Sequence, residues 1–249
     1  MGKKIRVQRR GAGTPTFRAA THKRVAPARY PFTSLAQTET LKGVVSCLVH
    51  DPGRGAPLAL IRLANGTDFY NIASEGLYVG REIEIGEEAS VSVGNILPLS
   101  KIPEGTMVYN IERLPGDGGR FIRSSGGYAT VIAHTPAGIA LKLSSGKTVY
   151  LDGRCRATIG VAAGAGRTDK PFLKAGERFH LMRAKGHDYP IVKGVAMIAA
   201  VHPHGGGRHK TGSLKPTTVA RGAPPGQKVG LIAARQTGRA EKSKKAMVA

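Results

Sequence analysis

The sequence predicts a mainly β protein made of two small barrels, with an extended basic arm at each end. Short runs rich in β-branched residues alternate with glycine turns, and only residues 174–185 show a helical period. Positive charge is concentrated at both ends. We therefore expect four regions: a basic extended arm (1–40), an oligonucleotide-binding (OB) barrel that binds RNA (41–95), an SH3-like barrel with a short helix (96–192) and a basic Gly/His-rich extension (193–249).

The charge balance points to a polyanionic partner. The 249 residues include 38 Lys and Arg against 16 Asp and Glu, a formal net charge of +22. Residues 1–43 and 193–249 hold 19 of these net charges, whereas the middle of the chain is nearly balanced. A neutral body with cationic ends is typical of nucleic-acid-binding proteins. We expect no membrane span, because no apolar run approaches ~20 residues. The widely spaced Cys47 and Cys155 are expected to be reduced thiols of a cytosolic protein.

The first arm combines helix-breaking prolines with cations. Pro15, Pro27 and Pro31 interrupt any helical period, so we expect an extended segment. Phe17 and Tyr30 stand among the cations, where they could stack on bases. The alternative is a disordered tail without defined contacts. The cations expected to bind RNA here are Arg9, Arg10, Arg18, Lys23 and Arg24.

The first barrel is read from short strands and one hairpin. Residues 41–50 are β-rich and are followed by a turn cluster that should expose Arg54 between two glycines. Residues 58–72 form two β runs around Asn65-Gly66, the dipeptide that type I′ turns prefer. Residues 81–85 alternate strictly, so their charged face should point to water.

The second barrel follows a Pro-containing joint at 96–99. Five short runs in a compact stretch fit an SH3-like barrel. A short helix is expected over 174–185, with Phe179 and Met182 on one face. The five strand candidates are residues 107–112, 129–133, 139–143, 147–151 and 154–159.

Five glycine loops contain or border cations. Each could bring main-chain N–H groups and a guanidinium to one phosphate, although any one could also be an ordinary surface turn. Their arginines Arg54, Arg120, Arg123 and Arg167 are therefore candidate RNA contacts. The loops are residues 53–55, 118–120, 123–127, 164–167 and 205–208.

The stretch 197–210 is the densest candidate site. Three successive glycines remove every Cβ, so the backbone can lie against another surface. We expect the histidines to stack on RNA or hydrogen-bond to it and the cations to bind phosphates. The candidates are Met197, His202, His204, Gly205, Gly206, Gly207, Arg208, His209 and Lys210, with Arg221, Lys228, Arg235 and Arg239 further along.

A metal-binding or acid–base role for the histidines is less favoured. No acidic residue occurs between Asp188 and Glu241 to orient an imidazole. We therefore assign no catalytic residue and no metal ligand. Two other classes of function stay open. A free single-stranded nucleic-acid-binding OB protein would need aromatic platforms, for which the chain offers Phe69, Tyr70 and Tyr78. A metal-dependent hydrolase would need clustered ligands, which local spacing does not provide.

Several motifs occur in an order that identifies a family. The chain resembles the universal large-subunit ribosomal protein family L two, in its archaeal and eukaryotic type. The resemblance covers nearly the whole chain. The motifs are His50–Leu58 (His-Asp-Pro-Gly-Arg-Gly-Ala-Pro-Leu), Pro103–Thr106, Pro115–Asp117, Gly194–Met197, His202-Pro203 with Gly205–Gly207, and Lys228–Arg235 (Lys-Val-Gly-Leu-Ile-Ala-Ala-Arg).

The resemblance implies a structural constituent of the cytoplasmic ribosome rather than an enzyme. Its implied partners are large-subunit ribosomal RNA, other ribosomal proteins and the small subunit, with no membrane. It further implies a tail near the peptidyl-transferase region, roles in assembly, subunit association and tRNA binding, and no cofactor beyond RNA-associated Mg²⁺. One departure concerns His202, because Ile198–Val201 replaces the family's usual Asn-Pro-Val-acid. The carboxylate that could orient this imidazole is therefore missing.

Overall fold

A computed structural model describes residues 2–31, 40–207 and 218–234. The chain divides into two compact units. We call residues 20–173 the core unit, and residues 1–19 together with 174–249 the terminal unit. The four region boundaries expected from the sequence stay a prediction.

The described part of the core unit contains a ten-stranded sheet. Its order is β3-β2-β1-β4-β5-β10-β6-β7-β8-β9. This mainly β architecture is the predicted OB plus SH3-like arrangement. The strands are β1 Leu41–Val49, β2 Leu58–Leu63, β3 Asp68–Ile72, β4 Glu82–Ile85, β5 Ile96–Pro98, β6 Met107–Tyr109, β7 Ala129–Thr135, β8 Gly138–Leu143, β9 Thr148–Leu151 and β10 Arg156–Ile159.

Residues 96–98 join the two halves of the sheet. The expected joint here is in fact strand β5, which pairs parallel to β4 through Ile85 and Ile96 and antiparallel to β10. All three β5 residues are buried. The predicted hairpin is confirmed, since β2 and β3 pair antiparallel around a turn in which Gly66 has a φ of +81°. The turn requires a positive φ at this position, which glycine adopts without strain, and this requirement explains the Asn-Gly dipeptide.

Separate apolar clusters support the two halves. One packs under β1 to β4 around Val45, Ile61 and Ile83, and the other fills the second half around Val108, Leu141 and Ala157. In β1 and β4 alternate residues face the cluster, as a half-buried sheet requires, whereas β5 is buried on both faces. Both cysteines are free thiols, and burial raises the pKa of Cys155 to about 12.

Tyr30 belongs to the interior of the core unit and not to a base-stacking surface. Its side chain is 4% exposed, and its hydroxyl donates to the Asn110 carbonyl at 2.6 Å. The same hydroxyl lies 2.7 Å from Thr158 Oγ1. The expectation that Tyr30 stacks on bases is therefore wrong. Tyr30 instead anchors the segment 20–31 to the sheet.

The terminal unit combines the start of the chain with its last third. It contains helices α1 (Arg6–Gly11) and α2 (Ala175–Ala184) and the parallel pair β11 (Thr218–Val219) and β12 (Leu231–Ile232). Helix α2 confirms the predicted helix. Helix α1 was not expected from the sequence. It ends at Gly11, before Pro15, the first residue that would interrupt a helix. The Lys3 N–H donates to the Ala200 carbonyl at 2.8 Å, which ties the two segments together. No helix among the described residues has the length and apolarity needed to cross a bilayer.

Candidate nucleic-acid interface

Three predicted arginines from distant parts of the sequence lie together in the core unit. Arg24 and Arg54 flank the glycine turn after β1, and the Arg24 side chain packs so closely on Gly53 that an added Cβ would lie 3.0 Å from its Cγ and Cδ. Arg123 lies near Arg54, because the Arg54 charge, after burial, lowers the pKa of Arg123. We call Arg24, Arg54 and Arg123 the arginine cluster.

Different elements position these three side chains. Arg54 sits in the loop between β1 and β2, and Arg24 in the segment that Tyr30 anchors. Arg123 precedes β7, and its Nη2 donates to the Ala28 carbonyl at 2.6 Å. The sheet therefore fixes a group of cations that no short sequence motif could reveal.

One buried carboxylate partly compensates the arginine cluster. Asp51 is fully buried, and its Oδ2 lies 3.2 Å from Arg54 Nε. We expected Arg54 to be exposed, but only 18% of its side chain is accessible to solvent. Burial lowers the pKa of Arg54, Asp51 opposes that shift and Arg24 adds to it. Since guanidinium groups stay charged in proteins, three cations against one carboxylate leave the cluster net positive.

The arginine cluster contains donors without an acceptor. Within the described residues, Arg24 Nε and Arg54 Nη1 are buried and have no hydrogen-bond partner. Asp51 Oδ2 also lacks one, because its close contact with Arg54 is not aligned as a hydrogen bond. Buried donors in folded proteins are nearly always paired. The three arginine side chains are only partly buried, so their net positive charge can still face an anion with several acceptor oxygens, such as a phosphodiester.

Arg167 extends this surface across a second glycine. Its Nε and Nη2 donate to Ser125 Oγ at 3.2 and 3.1 Å, and its guanidinium lies directly against Gly55. A side chain at position 55 would displace it. Arg167 itself is exposed. The glycine here allows the close approach of an arginine side chain.

At two of the five glycine loops, main-chain donors that we expected to face phosphate are already bonded to carboxylates. The N–H of Gly118 donates to Glu112 Oε1 at 3.0 Å, and that of Gly119 donates to Asp117 Oδ1 at 3.1 Å. The N–H of Gly53 donates to Asp51 Oδ1 at 3.3 Å. At these two loops phosphate contact stays a prediction for the guanidinium groups, of which Arg120 is exposed.

In the terminal unit, His202 is held by its neighbours. Its Nδ1 accepts the His204 N–H at 3.1 Å, and the two rings meet edge to face at 5.2 Å. This bond makes Nε2 the protonated nitrogen of the neutral ring. Burial lowers the pKa of His202, and the nearby His204 and Arg6 lower it further. The ring lies directly on Gly194, where no Cβ would fit.

Part of the glycine run packs against its own chain. A Cβ on Gly205 would lie 2.5 Å from the Met197 and Ile198 carbonyl oxygens, and the Gly206 N–H donates to the Met197 carbonyl at 3.1 Å. Gly206 and Gly207 have φ values of +83° and +81°. We expected the bare glycine backbone to lie against a partner molecule. At Gly205 it lies instead against residues 197–198 of its own chain. Among the described residues, no atom lies within 4 Å of the position that a Cβ on Gly207 would take.

The remaining predicted cations are spread over both units. Exposed ones are Arg9, Arg10, Arg18, Lys23 and Arg221, and Lys228 is half-buried. Arg208, His209, Lys210, Arg235 and Arg239 lie outside the described residues.

Sequence reasoning missed three participants in this surface. Asp51 pairs with Arg54, Ser125 holds Arg167, and Arg29 lies close enough to Arg123 to lower its pKa, although burial lowers that pKa most. Only Asp51 had a local signal, since Asp-Pro-Gly marks a turn in which the carboxylate binds the backbone two residues on.

The aromatic side chains on which a single-stranded nucleic-acid-binding protein would stack bases are mostly not accessible in this chain. Phe69 is 7% exposed and packs in the apolar cluster of the first half, and Tyr70 is partly buried. Tyr78 is 59% exposed, with the Arg81 guanidinium 5.9 Å from its ring centre. A strand of stacked bases would need a series of such rings.

Comparison with known proteins gives one consistent result. Residues 1–85 match the model described as Ribosomal Proteins L2, RNA binding N-terminal domain, and residues 92–222 match the model of the C-terminal domain. The chain is similar to "Large ribosomal subunit protein uL2" of Korarchaeum cryptofilum, with 53% identity over 97% of this chain and 98% of the relative. The proteins of that name from Ignicoccus hospitalis and Hyperthermus butylicus are 52% and 54% identical, over 99% and 96% of this chain and 98% and 99% of theirs.

Proposed function

The chain belongs to the ribosomal protein L2 family, and from this membership we propose that it is a structural, RNA-binding constituent of the large ribosomal subunit. The observation that carries the proposal is the arginine cluster. Three guanidinium groups from three segments lie together, and the ion pair found there among the described residues is that of Arg54 with Asp51, so the cluster keeps an excess of positive charge. Ribosomal RNA supplies phosphates that match this excess positive charge.

The binding mechanism is phosphate neutralisation on a prearranged surface. Each arginine that contacts a phosphate releases condensed counterions, so affinity falls as salt rises. The sheet and the Tyr30 anchor hold the arginine cluster in place before RNA arrives, which reduces the ordering cost of binding. Arg167, fixed by Ser125, adds a further charged contact.

The finer roles rest on the family and on charge. We propose that the terminal unit approaches the peptidyl-transferase region and that the protein supports subunit assembly, subunit association and tRNA binding. Its partners would be ribosomal RNA, other ribosomal proteins and the small subunit, with Mg²⁺ bound to the RNA. Chemistry would belong to the RNA, since His202 has its Nδ1 occupied and no acidic neighbour in sequence.

Salt-dependent RNA binding tests the proposal. Changing Arg24 and Arg123 to Ala removes two guanidinium groups and leaves the Arg54–Asp51 pair intact. In filter binding of the full chain to large-subunit RNA, the slope of log K against log salt should become shallower by about 1.4 to 1.8. The control changes Arg62 and Arg154, exposed arginines that each pair with their own Asp.

Two results would contradict the proposed function. One is an equal change of slope in both variants, which would show that the position of the arginines is irrelevant. The other is sedimentation of the protein in the soluble pool at low salt, with none in the large subunit. Thermal unfolding of each variant separates lost binding from lost folding.

A further inference from the structure

A cleft in the terminal unit combines an apolar floor with a cationic rim. It is formed by the segment 4–10, by residues near 192–202 and by Val229-Gly230, and its volume is about 230 Å³. All of these residues belong to the same compact unit. Pockets for drug-sized ligands measure roughly 300–1,000 Å³. This cleft is therefore suited to a single planar ring system and not to a folded element.

The floor offers contacts for a flat, weakly polar group. Ile5 and Val229 are 5% and 6% exposed, and Met197 and Val201 are partly buried beside them. Methionine adapts its shape and makes favourable contacts between its sulfur and aromatic rings. A heteroaromatic base would fit such a floor better than a charged group.

The rim of the cleft offers positive charge to any anionic part of a ligand that stays outside the cleft. Lys4, Arg9 and Arg10 line the cleft and are exposed, and no carboxylate among the described residues pairs with them. Arg6 also lines it, but its Nε lies 3.2 Å from Asp188 Oδ2, so its charge is already compensated. The arrangement separates an uncharged interior from three available cations at the mouth.

His202 adds one directional donor to the cleft. Because Nδ1 accepts the His204 N–H, the neutral ring carries its proton on Nε2. Within the described residues, Nε2 has no protein acceptor. A base edge can supply that acceptor through a ring nitrogen or a carbonyl oxygen.

We propose that this cleft receives one unstacked nucleotide of RNA, with the base on the apolar floor and its flanking phosphates on Lys4, Arg9 and Arg10. The inference rests on the proposed function, since it presupposes RNA binding. It adds a site that reads the presence of a base, whereas the arginine cluster responds to the backbone alone. Unpaired bases are what RNA-binding proteins recognise when they go beyond backbone contacts.

Three RNA stems test the cleft with the full chain. One stem carries a single bulged adenosine, the second carries an abasic nucleotide at the bulge, and the third is fully paired. At fixed salt, the adenosine bulge should bind about tenfold more tightly than the abasic bulge, the size expected for one stacked base. All three RNAs should still respond to salt through the arginines.

A matched pair of variants locates the effect. Val192 lines the cleft and is 50% exposed, so Val192→Trp fills the cleft from its mouth without burying new bulk in a core. It should abolish the preference for the base and leave binding of the paired stem unchanged. Ile191 is 64% exposed and does not line the cleft, so Ile191→Trp should keep the preference.

The outcomes separate this inference from the proposed function. Equal affinity of the unaltered chain for adenosine and abasic bulges, with the paired stem still bound, overturns the cleft and leaves the ribosomal role standing. A base preference that survives Val192→Trp also overturns it. Failure to bind any of the three RNAs at low salt would overturn the proposed function and the inference together.

Discussion

The buried pair of Glu112 and Arg156 gives the sharpest stability prediction. Glu112 is fully buried, and its carboxylate accepts five N–H groups. Oε1 accepts from Gly118 N and from Nε and Nη2 of Arg156, and Oε2 accepts from Gly116 N and from the Arg156 main chain. Arg156 in turn donates to the Pro31 carbonyl at 3.0 Å. One carboxylate therefore holds the Gly116–Gly118 loop, β10 and the end of the segment that contains Arg24.

Glu112→Gln keeps the shape and removes the charge. Whichever way the amide turns, its NH₂ group faces at least two N–H donors, and the Arg156 charge loses its partner. Breaking a buried ion pair from one side costs about 3–5 kcal/mol. For a protein of this size, that loss corresponds to a decrease in Tm of about 6–20 °C.

Thermal unfolding followed by circular dichroism measures this decrease. Asp152→Asn is the control, because Asp152 and Arg154 form an exposed pair whose loss should leave Tm unchanged. Replacing both buried partners, as Glu112→Leu with Arg156→Met, should recover part of the lost stability, since no buried charge is then left alone. If Glu112→Gln lowered Tm no more than Asp152→Asn, the assigned role of this pair would be wrong.

Three further predictions concern the anchors of both units. Tyr30→Phe removes the hydroxyl bonded to Asn110 and Thr158 and should destabilise the core unit by about 1–3 kcal/mol in urea unfolding; an unchanged midpoint would contradict the anchor role. Gly194→Ala places a Cβ against the His202 ring and should destabilise the terminal unit by about 1–3 kcal/mol, measured by hydrogen exchange. Gly176→Ala, with open space in α2, is its control and should not lower protection. The pKa of His202, read from its ring proton by NMR, should lie below the ordinary 6.5, because burial disfavours the charged ring. The unfolded state then binds the proton more readily, so stability is full above pH 6.5 and decreases as pH falls towards the folded pKa; a midpoint at or above 6.5 would refute this.

The strands were predictable because their signals are local. β1, the hairpin of β2 and β3, and β7 to β10 followed from β-branched runs and turn dipeptides. Strand β5 was not found, since Pro98 and its short length resemble a linker and only its pairing with β4 and β10 makes it a strand. Helix α1 was missed for a similar reason, as six residues give too short a period.

The residues of the candidate site were also predictable from the sequence, whereas their grouping in space was not. Arg24, Arg54, Arg123 and Arg167 were found individually from charge and glycine, but nothing in the sequence places them beside one another. The misassignment of Tyr30 has the same cause. An aromatic residue among cations suggests stacking on bases, and only contacts 80 and 128 residues away show that its hydroxyl belongs to the core.

By itself, the sequence determined that this chain is a basic, mainly β protein that binds a polyanion, and its motifs identified the family. These properties depend on composition and on patterns that span a few residues. Only the tertiary structure decided which cations lie together, which glycine N–H groups are already bonded, and that residues 4–10 and 192–202 form one cleft. Such facts depend on contacts between residues far apart in the chain, and those contacts are set by packing of the whole fold.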